Sequence, residues 1–407
     1  ACPHCGKSAG FTKEEDTLDG WFDSGSTHFA SMKKDQGFWP ATMYLEGLDQ
    51  YRGWFQSSLL TAVGAFGQGA PFKECVTHGW TVDGEGKAMH KSLGNGVDPA
   101  DVFNENGADI LRLWAASADY HADVRCSKEI FKQLSQNYLK FRNTCKFMLD
   151  NLVDFDPEKL TKPEDMPVLD RWLLTKLNEL IEKAEQSYCD YEFHIITHAV
   201  NDFCVNTLSS FYLDIVKDRL YCEGAESATR RSAQTALYLT LHTLSKLFAP
   251  ILAFTCDEIW LAMPHAGDDD ARNVVLNEMN KPFTAYALDS ETMARWEHII
   301  AVRTVVNGAL EEARAAKVIG KSLEADVHLT VPESDRFFAD ESPEALADIF
   351  IVSKVELAIG DVLAVKVDNA AGTKCPRCWK HSLEANAEGL CPRCAEVVKH
   401  LHLTELL

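Results

Sequence analysis

A glycine-rich stretch between two apolar segments sets the strongest constraint on how this chain folds. Between His78 and Pro99 it holds five glycines and two lysines: Gly79, Gly84, Gly86, Lys87, Lys91, Gly94 and Gly96. An apolar run over residues 74–82 precedes it, and helical periodicity over residues 99–116 follows it. Because glycine allows backbone angles that other residues avoid, the pattern predicts a mobile, lysine-bearing loop between a strand and a helix. Such a loop can close over a polyphosphate, although its composition is also typical of a solvated surface loop.

A second buried strand is predicted over residues 42–48, and helical periodicity follows it through Trp54, Leu59 and Val63. The carboxyl end of this strand carries four candidate ligand-binding residues: Glu46, Gly47, Asp49 and Gln50. Carboxylates at that end lie where open α/β sheets bind their ligands. A strand, a helix, a second strand and a glycine loop in succession predict a doubly wound, parallel sheet.

The rest of the chain is predicted to be helical up to a short α/β module. A net charge of +5 over residues 124–147, with apolar residues at helical spacing, predicts an amphipathic helix with a cationic side. Residues 156–167 are proline-rich and indicate a linker. Apolar stripes then predict a helical bundle over residues 171–188, 193–221, 227–248 and 249–260. A polar loop at 264–282 and a long helix at 291–317 follow, and alternation predicts strands over 325–331, 349–357 and 362–367.

Two Cys-Pro-Arg-Cys motifs near the end of the sequence carry the clearest chemistry. The thiols of Cys375, Cys378, Cys391 and Cys394 form two close pairs with twelve residues between the pairs. This spacing is typical of a closed, tetrahedral site for one structural Zn²⁺, with no open position for a substrate. A redox-active or metal-free arrangement is the alternative. The cations and the tryptophan around the motifs suit contact with RNA, and they are equally typical of any exposed zinc ribbon.

Charge and cysteine content narrow the class of protein further. The chain has 40 lysines and arginines against 61 acidic residues, and its formal net charge of −21 argues against a protein coated by nucleic acid. Thirteen cysteines, six of them in Cys-x-x-Cys pairs, are typical of a reducing compartment. No apolar run reaches the roughly 18 residues that a membrane span needs. These features predict a soluble, cytoplasmic protein.

Several motifs in a fixed order resemble one known family. They are Trp21–His28, Tyr44–Phe55, the glycine loop, Gly107–Arg112, Phe211–Arg219 and the terminal Cys-Pro-Arg-Cys-Trp. Together they resemble the isoleucyl-tRNA synthetases, class I aminoacyl-tRNA synthetases of the bacterial type, over essentially the whole chain. The resemblance implies an α/β, partial Rossmann-like catalytic domain followed by an all-α anticodon-binding bundle, a small α/β module and a C-terminal zinc ribbon.

The same resemblance implies six segments. Residues 1–35 end an insertion, 36–120 form the second half of the Rossmann-like domain, 121–160 are a connecting helical region, 161–300 bind the anticodon, 301–370 form the small α/β junction module, and 371–407 bind zinc and contact tRNA. Cys2 and Cys5 look like half of a zinc knuckle. The sequence leaves open whether their partners lie upstream or the pair stays metal-free.

The glycine loop is similar to the class I lysine signature, Lys-Met-Ser-Lys-Ser. Here it reads Ala88-Met89-His90-Lys91-Ser92, which implies that Lys91 is the catalytic lysine that holds the ATP phosphates. The implied ATP and adenylate pocket consists of Glu46, Gly47, Asp49, Gln50, Met89, Lys91 and Ser92. Ala88 stands in place of the first lysine of the family signature and His90 in place of its first serine, and the effect of both exchanges stays open.

The resemblance implies ATP-dependent ligation of isoleucine to its tRNA. The implied substrates and partners are isoleucine, tRNA(Ile) and ATP with Mg²⁺, with one structural Zn²⁺, no membrane and a monomeric state. The other family signature, His-Ile-Gly-His, and the editing insertion are absent from these residues, so the chain alone is expected to be inactive. A valyl or leucyl enzyme, or a non-catalytic tRNA-binding protein, is the alternative.

Overall fold

The computed structural model describes residues 1–10, 12–34 and 37–404, apart from the side chains of Lys91 and of residues 402–404. The chain divides into two compact units. One unit comprises Ala1–Asp98 with Ala118–Lys128, and the other comprises Pro99–Ser117 with Glu129–Leu407. Each unit is described by itself below.

A parallel pair of strands organises the first unit. The regular elements are α1 (Gly20–Gly25), β1 (Ala41–Gly47), α2 (Trp54–Leu60), β2 (Phe72–His78), β3 (Thr81–Val82) and β4 (Val124–Arg125). β1 and β2 are parallel, with Gly47 opposite His78 at their carboxyl ends, and α2 lies between them in the sequence. Buried Tyr44 and Phe55 pack where α2 covers the strands. The predicted strand–helix–strand unit with parallel pairing is therefore confirmed.

The predicted strand over residues 74–82 is interrupted, so that part of the prediction is wrong. Gly79 donates a backbone hydrogen bond of 2.8 Å to the carbonyl of Tyr120, outside the β1–β2 pair. A Cβ at position 79 would lie 2.4 Å from the carbonyl oxygen of Ala122, so glycine is required for this close approach. After the break, β3 pairs in parallel with β4. The chain thereby leaves the first pair of strands just before the lysine-bearing loop.

Helices dominate the second unit. They are α3 (Pro99–Asn106), α4 (Ala108–Ser117), α5 (Lys128–Asp150), α6 (Val168–Cys189), α7 (Phe193–Asp202), α8 (Leu213–Cys222), α9 (Ala228–Phe248), α10 (Ala253–Ala262) and α11 (Ser290–Ala315). The predicted bundle is confirmed, although Phe203–Tyr212 between α7 and α8 is π-helical. The predicted cationic helix begins at Lys128 and not at residue 124, because residues 124–125 form β4. Within the described part of the chain, no helix is both long enough and apolar enough to cross a membrane.

A buried carboxylate joins α4 to the start of α10. Asp109 accepts hydrogen bonds from the backbone N–H groups of Phe254, at 3.3 Å, and Thr255, at 2.8 Å. These are N–H groups in the first turn of α10, which has no earlier turn to bond with. Asp109 lies in the Gly107–Arg112 motif, so this motif has a structural role in holding two helices together.

A second buried carboxylate lies at the centre of the bundle. Asp170 of α6 has no exposed surface and accepts a hydrogen bond of 2.9 Å from the Tyr212 hydroxyl. Ser232 of α9 donates a further bond of 2.5 Å, and Arg219 of α8 lies 3.3 Å away. Burial raises the pKa of the Asp170 carboxyl, and the positive charge of Arg219 opposes that rise. One side chain thus connects three helices.

The last part of the chain forms a small sheet and a cysteine-rich module. Its elements are β5 (Ala325–Pro332), α12 (Pro343–Phe350), β6 (Lys354–Gly360), β7 (Ala364–Asn369), β8 (Thr373–Lys374), β9 (His381–Ser382) and α13 (Pro392–Thr404). β5 lies between β6 and β7, parallel to the first and antiparallel to the second. The predicted strand over 349–357 is wrong at its start, because Ile349 and Phe350 end a helix that Ser342 caps. Ile351, with a φ of 57°, then ends that helix.

Candidate adenylate and zinc sites

The carboxyl end of β1 brings together the residues predicted to line a nucleotide pocket. Glu46 and Asp49 are exposed, Gln50 is half-buried, and Gly47 is buried between them. A Cβ on Gly47 would lie 2.5 Å from Asp49 Oδ1 and 3.4 Å from the His78 ring, so a larger residue here would require the Asp49 side chain to move. The Asp49 carboxylate accepts a hydrogen bond of 3.1 Å from the amide nitrogen of Gln50. The amide oxygen of Gln50 accepts a hydrogen bond from the backbone N–H of Trp54. This edge is a compact polar surface open to solvent.

The lysine-bearing loop begins close to the same edge. His78, the last residue of β2, lies opposite Gly47, and the loop follows after β3. Met89 is half-buried and Ser92 is exposed, and Lys91 opens a short 3₁₀ turn, Lys91–Leu93. The side chain of Lys91 lies outside the described part of the structure. Its predicted contact with a nucleotide above Glu46 therefore stays a prediction.

An internal hydrogen-bond network supports the loop, and the sequence did not reveal it. Asp83 and Asn95, on opposite sides of the loop, are joined by a bond of 2.8 Å from the amide nitrogen to the carboxylate. This bond, together with the backbone N–H groups of Lys87 and Glu85, lowers the pKa of Asp83. The only sequence signal for it is the turn composition Asp83-Gly84-Glu85-Gly86, which predicts a tight turn but no partner.

The four cysteines of the two Cys-Pro-Arg-Cys motifs lie together as predicted. Their sulfur atoms all lie within 4.8 Å of one another, and Cys378 Sγ is 3.7 Å from Cys391 Sγ. In a tetrahedral zinc–thiolate site with bonds of about 2.3 Å the sulfurs are ~3.8 Å apart, so the cluster fits Zn²⁺. Burial raises the pKa of Cys375, but three backbone N–H groups outweigh it and lower that pKa to about 6. Burial raises the pKa of Cys378 and Cys394, so a bound cation would be needed to ionise these two thiols at neutral pH.

Other clusters of potential metal donors differ from this one. Cys2 and Cys5 belong to neither of the two groups of three or more such donors found among the described residues. The second group, Asp326, His328 and Glu356, lies on the small sheet, where Lys354 forms ion pairs with both carboxylates. Lys354 thus already occupies both carboxylates of that cluster, so the four cysteines are the metal site that the structure supports best.

Two arginines of the zinc motifs dock the module onto the end of α8. Arg393 bonds to Asp218 with a distance of 2.9 Å, and it lies 3.2 Å from Glu223. Burial would raise the pKa of Asp218, but the bond and charge of Arg393 dominate and lower it. Arg377 donates to the backbone carbonyl of Tyr221 at 3.2 Å and also to that of Cys222. These cations, which the sequence offered as RNA contacts, are used within the chain.

We predict that the purified protein contains one zinc ion per chain. Cys378→Ser is expected to lower this to below about 0.2 zinc ions per chain, because three thiolates hold zinc far less tightly than four. Plasma mass spectrometry of dialysed protein measures this directly. Cys189→Ser is the matched control, because Cys189 is exposed and lies outside the cluster. A zinc-free wild type, or unchanged zinc in Cys378→Ser, would rule out the assignment.

Two sequence families match successive parts of the chain. The family described as tRNA synthetases class I (I, L, M and V) matches residues 4–127. The anticodon-binding domain of tRNA ligase matches residues 170–329. A parallel-sheet segment with a lysine loop, followed by an anticodon-type helical bundle, defines a class I tRNA synthetase.

Individual relatives show which family of class I tRNA synthetases the chain resembles. The chain is 48% identical to an isoleucine–tRNA ligase of Moorella thermoacetica over 99% of its own length. It is 47% identical to the corresponding ligase of Caldicellulosiruptor saccharolyticus over 98% of its length. The chain belongs to the isoleucine–tRNA ligase family. It spans about 45% of the length of the first relative and 44% of the second.

A solved structure agrees with this assignment at the level of fold. The chain resembles an Agrobacterium radiobacter LeuRS, solved in a ternary complex with tRNA and LeuAMS, with a TM-score of 0.55 over 91% of the chain. The identity is only 16%, and the match covers 38% of that protein. The similarity therefore supports the architecture and carries no information on the amino acid that this chain handles.

Proposed function

We propose that the protein carrying this chain joins isoleucine to tRNA(Ile) in two steps that use ATP. The observation that carries the proposal is the 48% identity to an isoleucine–tRNA ligase across 99% of the chain. The first step forms isoleucyl-adenylate and releases pyrophosphate, and the second transfers isoleucine to the 3′ end of the tRNA. A valyl or leucyl activity has weaker support, since the first relatives are all isoleucine ligases.

Both steps depend on positioning and charge and not on a covalent enzyme intermediate. Lys91 neutralises charge that develops on the phosphates as the isoleucine carboxylate attacks the α-phosphorus. ATP enters as its Mg²⁺ complex, which supplies further counter-charge. The backbone of Gly47, with Glu46, Asp49 and Gln50, then holds the adenylate, while Met89 and Ser92 complete the loop that covers it. Closing the loop excludes water from the reactive phosphate.

We propose that the helical bundle and the zinc module bind the tRNA. Lys132 and Lys140 on α5 are exposed and form no ion pair in the described structure, so they are free to contact phosphates. Beside the cysteines, Trp379 is 55% exposed, and Lys321 Nζ lies 5.7 Å from its ring centre. An exposed aromatic ring with a cation suits stacking on an RNA base.

The zinc site is proposed to be structural, because all four positions of a tetrahedral ion are taken by thiolates. No disulfide joins any of the thirteen cysteines, all of which lie in the described residues. This fits the proposed cytoplasmic location. A monomeric state is proposed as well.

The proposal is tested by ATP–pyrophosphate exchange on the protein at its full encoded length, with isoleucine, valine and leucine compared in turn. We expect isoleucine to give the highest kcat/KM, because the first relatives are all isoleucine–tRNA ligases. A higher kcat/KM for valine or leucine would assign a different synthetase. Binding of tRNA without exchange in the presence of any of the three would leave only the RNA-binding role.

A further inference from the structure

The side chain of Asn95 reaches back across the lysine-bearing loop and holds its backbone. Its Oδ1 accepts a hydrogen bond of 2.9 Å from the N–H of His90, the residue before Lys91. Its Nδ2 donates to the carbonyl oxygen of Ala88 at 3.1 Å. Asn95 therefore binds the chain on both sides of Met89, within three residues of the proposed catalytic lysine.

Asp83 fixes Asn95 from the other side. Its Oδ2 accepts the second hydrogen of the Asn95 amide at 2.8 Å. Its Oδ1 accepts the N–H groups of Glu85 at 3.0 Å and of Lys87 at 2.8 Å, which close the turn before the loop. The carboxylate thus ties Asn95 to the rigid turn that extends from β3. The two side chains together form a bridge from β3 to residues 88–90, which we call the Asp83–Asn95 bridge.

A glycine lies on either side of the segment that this bridge holds, and both adopt a left-handed backbone conformation. Gly86 has a φ of 86° and Gly94 a φ of 63°, conformations that L-residues with side chains rarely adopt. Asn95 is half-buried, so its bonds are partly shielded from competing water. The position of residues 88–90 therefore depends in part on the bonds of the Asn95 side chain.

We propose that Asn95 is a positioning residue that sets the backbone before Lys91, so that the lysine reaches the phosphates of bound ATP. This inference rests on the proposed function, since it assigns a role in the same adenylate-forming reaction. The role requires an amide, because the side chain must accept from His90 and donate to both Asp83 and Ala88. Aspartate at position 95 would place two carboxylates together and lose both donated bonds.

The test compares variants of the protein at its full encoded length by ATP–pyrophosphate exchange at saturating isoleucine. For Asn95→Ala we expect kcat to fall by about 10- to 100-fold, because misplacing a catalytic group by roughly 1 Å has effects of this size. Binding of isoleucine, measured without ATP, is expected to stay unchanged. Asn104→Ala is the matched control, because Asn104 is exposed on α3 and its loss is expected to leave exchange unaltered.

Exchanging the hydrogen-bond donor and acceptor between Asp83 and Asn95 separates a loss of positioning from a general loss of folding. Asn95→Asp is expected to impair ATP–pyrophosphate exchange at least as much as Asn95→Ala. In the double variant Asp83→Asn with Asn95→Asp, the amide at position 83 can donate to the carboxylate at position 95, so the bond between the two positions is restored with donor and acceptor exchanged. We expect the double variant to recover kcat by about fivefold over Asn95→Asp, the signature of a direct coupling. Loss of folding would give no such recovery.

The outcomes distinguish this inference from the function on which it rests. If wild type shows no isoleucine-dependent exchange, the proposed function fails and the inference fails with it. If wild type is active and Asn95→Ala has a kcat within twofold of it, only the role of Asn95 is refuted. Equal activity of Asn95→Asp and the double variant would likewise refute the bridge.

Discussion

Lys91→Ala is expected to lower ATP–pyrophosphate exchange by about 10²- to 10³-fold, the usual effect of removing one group that stabilises charge in a transition state. The lysine is proposed to act on phosphate charge that grows during the attack by isoleucine. Its loss should therefore reduce kcat more than it weakens the binding of ATP or isoleucine. Exchange rates at varied ATP, on the protein at its full encoded length, give both parameters.

The control for this variant is Lys73→Ala, on the exposed face of β2 in the same unit. It removes the same charge from a residue outside the loop, so we expect kcat to stay within about twofold of wild type, as for most surface substitutions. Lys87→Ala is informative because Lys87 forms an exposed ion pair with Glu85 and stands next to Ala88. A large fall of kcat in Lys87→Ala, with kcat of Lys91→Ala within twofold of wild type, would mean that the wrong lysine has been assigned.

Asp170→Ala is expected to destabilise the helical bundle by about 3–5 kcal/mol, the cost of removing one partner from a buried ion pair. The carboxylate itself is costly to bury, as its raised pKa shows. The loss arises because Tyr212 and Ser232 keep buried hydroxyl groups without an acceptor, and Arg219 keeps a charge that is only 16% exposed. Hydrogen exchange of the α6 and α9 amides measures the opening free energy of this part of the fold.

Two further substitutions serve as comparisons for Asp170→Ala. Asp170→Asn keeps an acceptor oxygen for Tyr212 or Ser232, so it should cost less than Asp170→Ala. Asp165→Ala removes an exposed carboxylate five positions earlier and should change the opening free energy by less than about 0.5 kcal/mol. If Asp170→Ala were no more harmful than Asp165→Ala, the three-helix connection would have no energetic importance.

Local patterns were enough to predict the elements that carry the site. The apolar runs before Glu46 and His78 predicted β1 and β2. The prediction that the strand over residues 42–48 is buried is only partly confirmed, because every third residue of β1 is buried and the others are exposed. Cysteine spacing predicted the cluster of four thiols, because two tight turns bring the two sulfurs of each pair together whatever the rest of the chain does. These signals extend over a few residues, so tertiary structure alters them little.

The features that sequence patterns missed depend on contacts between distant residues. Residues 349–357 alternate over a run too short to separate a period of 2 from one of 3.6, so the end of α12 was predicted as a strand. The break at Gly79 depends on a close approach to Ala122, forty-three positions away. The bridge between Asp83 and Asn95 is a single side-chain hydrogen bond and leaves no periodic pattern.

The partners of the charged residues near the two Cys-Pro-Arg-Cys motifs also could not be predicted from sequence. From sequence alone, Arg377 and Arg393 are candidates for contact with RNA, because a sequence shows a cation but not its partner. The structure provides that partner on α8, including the carboxylate of Asp218. Trp379, which lies beside the cysteines and is exposed, remains a candidate for binding RNA.

The most direct measurement is a crystal structure of the protein at its full encoded length with isoleucine and a non-hydrolysable ATP analogue. We predict one nucleotide that contacts both the β1 edge, at residues 46–50, and the Nζ of Lys91, with Asn95 still bonded to the loop. A nucleotide bound at one of these segments, with the other on a separate surface facing away from it, would contradict the shared adenylate site.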